Sequence, residues 1–397
     1  MIPLLLACDP YADWPAPGSY FPYVYQPEAD VEAYEEVAWE TETWTPEDDP
    51  DQLALYLLKA QMHRPGAPDE VVEHFAGQAV PPLAGAPTIS AVGDVMWVGD
   101  NWSHFADGAA ALLDGSTRVG NLETPVSALH STEPGALGLY AFNAPDTMLE
   151  GLPLDLVQLN NNHSLDAGDD GLAATLESVA AHGYAHTGVD AHRALEGVAW
   201  HAYTWGTNVR ESSAFELFIE PFGHEDPIID WHRVARDFAE VEAQHRVVLL
   251  HWGYEYEYYP RPQFMVAARE FIALGADLVL GQGPHVVQPV ELCSVNRPEV
   301  VPGVGACSLR TDDGEPRTAA VVYSLGNFAT AMATVPCQVG IVASILLDEG
   351  GVAGLGWEAV ATVDGPEVLP LDSLLDAADY AAESARLDEH LGRGWRR

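Results

Sequence analysis

The chain has 397 residues, 48% of them hydrophobic, and sets 17 basic side chains against 60 acidic ones for a formal charge of −43. That length suits one large domain with an extension, or two modest domains, and no stretch offers the roughly 20 apolar residues of a membrane-spanning helix. So acidic a surface repels nucleic acid and anionic membrane, which makes both poor partners and leaves solubility, cation binding or a saline setting as reasons for the bias.

In chain order, Met1-Ile2-Pro3-Leu4-Leu5-Leu6-Ala7-Cys8 comes first. Its Leu-Leu-Ala-Cys is similar to the end of a bacterial lipoprotein signal, although the apolar run is short and lacks a basic start. The expectation is that residues 1–8 are a signal remnant and that Cys8 anchors the protein to lipid, outside the cytoplasm. Cys293, Cys307 and Cys337 then form an odd set with room for one disulfide; otherwise all four cysteines are unpaired. Residues 9–85 read as an acidic, aromatic N-terminal extension and linker. Within them, 51–62 and 69–75 have helical spacing, and Pro81 to Gly85 reads as a linker. Residues 86–397 form the main domain.

From Thr88 onward apolar strands alternate with helical stretches, which predicts an α/β fold. Six strands each run into polar residues. Ile89–Val92 leads to Gly93-Asp94, Arg118-Val119 to Gly120-Asn121-Leu122-Glu123, and Leu154–Leu159 to Asn160-Asn161-Asn162-His163. Arg246–Leu250 leads to His251-Trp252-Gly253, Asp277–Leu280 to Gly281-Gln282-Gly283-Pro284-His285, and Ala320–Tyr323 to Ser324-Leu325-Gly326-Asn327. If these strands share a sheet, the clusters meet at its carboxyl edge, where open α/β sheets hold ligands. A helix follows over Asp169–Ala181, and another is expected over Asp372–Leu391 with its charges on a solvated face. Ile341–Leu347 is the clearest later strand.

Asp94, Asn121, Glu123, Asn162, His163, His251 and His285 offer carboxylate, amide and imidazole donors without thiolate. Such a set suits Mn²⁺, Fe²⁺ or Zn²⁺ in a reactive rather than a structural site. No serine sits in a Gly-x-Ser-x-Gly turn, and there is no phosphate-binding loop of the P-loop type. Asn121 and Glu123 compete as ligands, Asn327 either orients a ligand or closes a turn, and Tyr254, Tyr256, Tyr258 and Tyr259 either line a groove or pack as a patch.

Gly93-Asp94-Val95-Met96, Gly120-Asn121-Leu122-Glu123, Asn161-Asn162-His163-Ser164-Leu165-Asp166-Ala167-Gly168, His251-Trp252-Gly253-Tyr254-Glu255-Tyr256, Gly281-Gln282-Gly283-Pro284-His285 and Tyr323-Ser324-Leu325-Gly326-Asn327-Phe328 occur in that order. Over residues 88–330 the chain resembles the CapA family of poly-γ-glutamate capsule synthesis proteins, within the calcineurin-like metallophosphatases. The resemblance implies a four-layered α/β/β/α sandwich holding one or two divalent ions. It implies metal ligation by Asp94, Asn121 or Glu123, Asn162, His251 and His285, with His163 as proton donor oriented by Asp166. Where the family's last motif carries His-x-His, this chain has Gly283-Pro284-His285, which removes a donor that Glu255 could replace. The implied activity is hydrolysis of a phosphoester or γ-glutamyl bond in capsule or envelope polymer metabolism, by metal-activated water. Its partners would be an anionic polymer or phosphoester and capsule-synthesis membrane proteins, with Arg261 and Arg269 offsetting the repulsion between polymer and protein. The rival reading is a polymer-tethering protein with a degenerate site.

Overall fold

The computed structural model describes residues 66–76, 80–96, 103–133, 136–137, 141–209, 213–218, 229–297, 307–311, 314–363 and 367–397. Cys8, most of the N-terminal extension and the expected helix at 51–62 lie outside these residues.

The first helix among the described residues, α1, spans Asp69–Phe75 as the spacing predicts, and buries Val71 and Phe75 four residues apart on one face. Among the described residues fifteen strands follow, all in one hydrogen-bonded sheet. Those of the first half are β1 Ile89–Val95, β2 Thr117–Leu122, β3 Leu156–Gln158, β4 Ala185–Thr187, β5 Arg193–Leu195, β6 Val198–Thr204, β7 His245–His251 and β8 Leu278–Gln282. The others are β9 Val290–Val295, β10 Ser308–Leu309, β11 Arg317–Val322, β12 Asn327–Ala329, β13 Val339–Asp348, β14 Gly351–Val363 and β15 Glu367–Pro370. The main order is β4-β3-β2-β1-β13-β14-β11-β8-β7-β6-β5. The helices are α2 Gly168–Ala181, α3 Trp231–Glu240, α4 Pro262–Ala273, α5 Val335–Gln338 and α6 Ala378–Leu387. Among the described residues no helix is long and apolar enough to cross a membrane.

The strand sequences explain the layering. In β7, Val247 and Leu249 enter an inner core shared with Ala91 and Ile341, whereas Val248 and Leu250 face Phe264, Phe271 and Ile272 of α4. In the other half, Val119 and Leu156 join the inner core, while Val157 and Leu122 belong to an outer core with Leu172 and Val179 of α2. Strands buried on both faces read as near-continuous apolar runs, and so these strands were visible from sequence. Helix α4 begins with Pro262, whose missing N–H costs nothing at a first turn, and Asp230 caps α3 by accepting the Arg233 N–H at 3.1 Å.

Strand register assembles the site. Parallel pairing sets Asp94 beside Asn121 on β2 and beside Asn327 on β12, and sets His251 beside Gln282 on β8. The expected C-terminal helix over Asp372–Leu391 is instead a 3₁₀ turn at Leu371–Leu374, then α6, then a wider turn at Asp388–Gly392. Asp372, Asp376, Asp379 and Glu389 are exposed, as a solvated face requires, but Glu383 is buried and pairs with Arg386, which donates to the Val287 carbonyl at 3.1 Å and covers the Tyr258 ring.

On β6, His201 is fully buried between the rings of His192 and Phe238, with neither ring nitrogen hydrogen-bonded. Burial lowers it to about 2, with the charges of His192 and Arg246 acting the same way. A histidine depressed in the folded state stabilises fully above its unfolded pKa near 6.5 and loses that contribution as the pH falls below it. The expected loss from His201 approaches about 1.4 kcal/mol per pH unit and comes to about 1.6 kcal/mol between pH 6.5 and 5. Urea titrations of wild type and His201→Phe at both pH values read this directly; an equal acid loss in the variant contradicts it.

Candidate metal centre and proton donor

Asp94 is the hub. It is wholly buried at the end of β1, where Oδ1 accepts from Asn121 Nδ2 at 2.8 Å and Oδ2 accepts from the Gly283 N–H at 3.1 Å. His285 Nδ1 is 3.3 Å from Oδ2, and His251 Nδ1 is 3.8 Å from Oδ1. Burial alone would raise Asp94, but the hydrogen bond with His285 and the charges of both histidines hold it below the usual range. Its carboxylate is therefore present as a hard oxygen donor.

Glu123, just past β2, is also wholly buried, and neither of its oxygens has a hydrogen-bond partner. His251 Nε2 lies 3.4 Å from its Oε1. Burial, then the charge of Asp94, pushes Glu123 well above the usual carboxylate range. An orphaned buried carboxyl group is costly unless something cationic faces it. Donor atoms of Asp94, Glu123 and His285 all lie within 4.8 Å of one another, the spacing at which one ion can be shared. His251, lowered to about 4 mainly by burial, is a neutral imidazole able to ligate. His285 is lifted to about 10 despite burial, by the carboxylates of Glu123 and Asp94.

Asn121 and Glu123 separate in role. The Asn121 side-chain oxygen accepts from Asn161 Nδ2 at 3.0 Å while its amide nitrogen serves Asp94, so its donors and acceptor are used inside the protein. The open oxygens are those of Glu123. Asn162 is half-buried, and its side-chain oxygen is buried without a partner. Asn160 and Asn161 shape the turn: Asn160 donates to the Ala202 carbonyl, and Asn161 accepts from the His163 N–H.

His163 and Asp166 meet directly, Nδ1 to Oδ2 at 2.7 Å. The same Asp166 oxygen accepts the Phe142 N–H at 2.8 Å, and the Phe142 ring packs on the imidazole at 4.6 Å. Nδ1 is thereby occupied and Nε2 is left for other work. The dyad borders the metal donors, since the charge of His163 reaches His251 and that of Asp166 reaches Glu123.

Two readings that the sequence leaves open are decided here. Asn327 accepts from His285 Nδ1 at 3.0 Å and donates to the Cys337 carbonyl, so it orients the ring. The tyrosines pack as a patch: Tyr254, Tyr256 and Tyr258 are buried, and half-buried Tyr259 lies against Phe75 of α1 at 6.3 Å. Arg261 and Arg269 are buried too, paired with Glu257 and Glu291, and do not face a polymer.

A family model described as "Bacterial capsule synthesis protein PGA_cap" matches residues 88–332, which hold every candidate site residue. No curated protein matches the chain. Among solved structures, a hypothetical protein from Thermus thermophilus aligns over 68% of this chain and 98% of its own, at 13% identity and a TM-score of 0.38, too distant to bear on function.

Proposed function

From this chain's membership of the bacterial capsule synthesis protein family, we propose that it is a metal-dependent hydrolase acting on poly-γ-glutamate or another cell-envelope polymer, at a phosphoester or γ-glutamyl bond. One observation carries the reading: Glu123 is a buried carboxyl group with both oxygens unpartnered, set among Asp94, His251 and His285 and beside the His163–Asp166 dyad. A tethering protein whose site had collapsed would have filled or paired those oxygens.

Asp94, Glu123, His251 and His285, with the side-chain oxygen of Asn162, would hold one or two divalent ions of the Mn²⁺, Fe²⁺ or Zn²⁺ type. An ion bound there would supply Lewis acidity toward the scissile group and would activate water as a nucleophile near neutral pH. The chain's own residues do the rest. Asp166 fixes the His163 ring with Nδ1 engaged, and Nε2 delivers a proton to the leaving group. The Phe142 ring covers one side of that imidazole and limits its contact with solvent.

The architecture belongs to the same proposal: one inner core between two outer, helix-covered cores supports a four-layered α/β/β/α sandwich. So does location. Cys293 and Cys307 form a disulfide, which suits an oxidising compartment and supports an extracytoplasmic protein, anchored through Cys8 and working beside membrane components of capsule synthesis.

The test is metal content after loading purified protein with Mn²⁺ or Zn²⁺, paired with a screen of aryl and alkyl phosphates and γ-glutamyl oligomers. Stable uptake with metal-dependent turnover of one class is expected. A chain that retains no metal under any loading refutes the reading.

A further inference from the structure

The chain lacks a histidine at Gly283, and the backbone there cannot take one. Gly283 has φ +108°, a conformation that side chains rarely adopt, and an added Cβ would stand 2.7 Å from the Trp252 carbonyl oxygen and 3.3 Å from His251 Nε2. Its N–H has a use of its own, donating to Asp94. The replacement for the lost donor must come from elsewhere in the same space.

Glu255 occupies it. Its Oε1 lies 4.0 Å from His285 Nε2, and its Oε2 is buried with no hydrogen-bond partner although the side chain as a whole is 26% exposed. The other nitrogen of His285 is already engaged by Asn327 and Asp94, so Nε2 and the Glu255 carboxylate face one another without satisfying each other. The negative charge of Glu255 is felt at Glu123 as well. Two loops are strapped together to produce this. The Tyr256 N–H donates to the Pro284 carbonyl at 2.9 Å, and Gly253, at φ +86°, leaves only enough room for the Pro284 ring. Tyr256 and His285 both hold positive φ, of 68° and 58°. Side chains of that kind are kept in such conformations where neighbouring structure imposes them, commonly at functional sites.

We infer that Glu255 is a metal ligand on the His285 side of the centre, taking the place of the donor absent at Gly283. The inference rests on the hydrolase reading above. With Asp94 and Glu123 it makes a three-carboxylate centre, which favours a harder ion such as Mn²⁺ over Zn²⁺.

Calorimetric titration of the metal-free full chain with Mn²⁺, for wild type, Glu255→Gln and Glu255→Asp, tests it, together with the visible absorption of the Co²⁺-loaded proteins. The expected result for Glu255→Gln is loss of one bound ion or affinity weakened at least about 100-fold, with a changed Co²⁺ spectrum. Glu255→Asp, which keeps the carboxylate but withdraws it, should weaken binding by less. Melting of the metal-free variants should match wild type, because the Glu255 side chain makes no hydrogen bond through its buried oxygen. If Glu255→Gln does not fold, the Asp variant decides: wild-type affinity and spectrum there overturn the inference. Wild-type binding and an unchanged spectrum in Glu255→Gln overturn it while leaving the hydrolase reading standing. A wild-type chain that binds no metal overturns both.

Discussion

Replacing Asp94 by asparagine is expected to abolish stable divalent-metal binding and, with it, hydrolytic turnover. The change is nearly isosteric, so the β1–β2 and β1–β12 pairing that carries position 94 should persist. What disappears is the one fixed charge that both histidines and the Gly283 N–H are organised around. An amide nitrogen is placed where His285 and the Gly283 N–H require an acceptor, and the remaining carboxyl group in the buried pair, Glu123, is one that burial already pushes toward neutrality. Loss of a group that merely supports a ligand costs about 10- to 100-fold in metal affinity, and loss of the shared ligand should exceed that range. Metal analysis after dialysis, with calorimetry on the metal-free protein, reads the effect. Full metal content in Asp94→Asn would remove Asp94 from the centre and require a different site.

The second large effect is expected at His163. His163→Asn should keep its metal and lose about 10²- to 10⁴-fold in kcat, the range for a positioned proton donor. The loss should depend on the leaving group: severe for an alkyl phosphate or an amide, which need a proton to depart, and slight for a nitrophenyl phosphate, which does not. Asp166→Asn should move in the same direction by less, since it disturbs the ring's orientation through the 2.7 Å contact without removing the imidazole. If His163→Asn lost metal, or lost the same factor with every leaving group, His163 would be a ligand and the acid would lie elsewhere.

Much of this was legible before any coordinates, for a physical reason. Strands buried on both faces must be apolar, so Ile89–Val92, Val247–Leu250 and Leu278–Leu280 announce themselves, and the polar residues that interrupt them at one end stand out. Asp94, His251 and His285 could be read in that way. What could not be read was register. Asn327 follows Asp94 by more than two hundred residues, and only the parallel pairing of β12 with β1 makes it the partner of His285. Asn121 and Glu123 are two residues apart and chemically interchangeable as ligands; the hydrogen bond from Asn161 is what separates them. Strand β9, Val290–Val295, does not stand out because Glu291, Cys293 and Ser294 break the apolar pattern, and Glu291 is tolerated there through Arg269, His74 and the Tyr323 hydroxyl. One disulfide among Cys293, Cys307 and Cys337 was foreseeable by counting, but the pairing depended on β10 lying parallel to β9.

The order of the strands also separates two things that are easily equated. The stretch that carries the family's pattern ends at residue 332, yet β13 and β14, the two longest strands, come after it in the chain and stand between β1 and β11 in the sheet. The half of the sheet that bears Asp94 and the half that bears His251 are joined through them, and Arg386 of α6 reaches back to the loop beyond His285. The heritable signature and the foldable object thus have different edges. The last 65 residues are the keystone of an arch whose named stones all lie to either side.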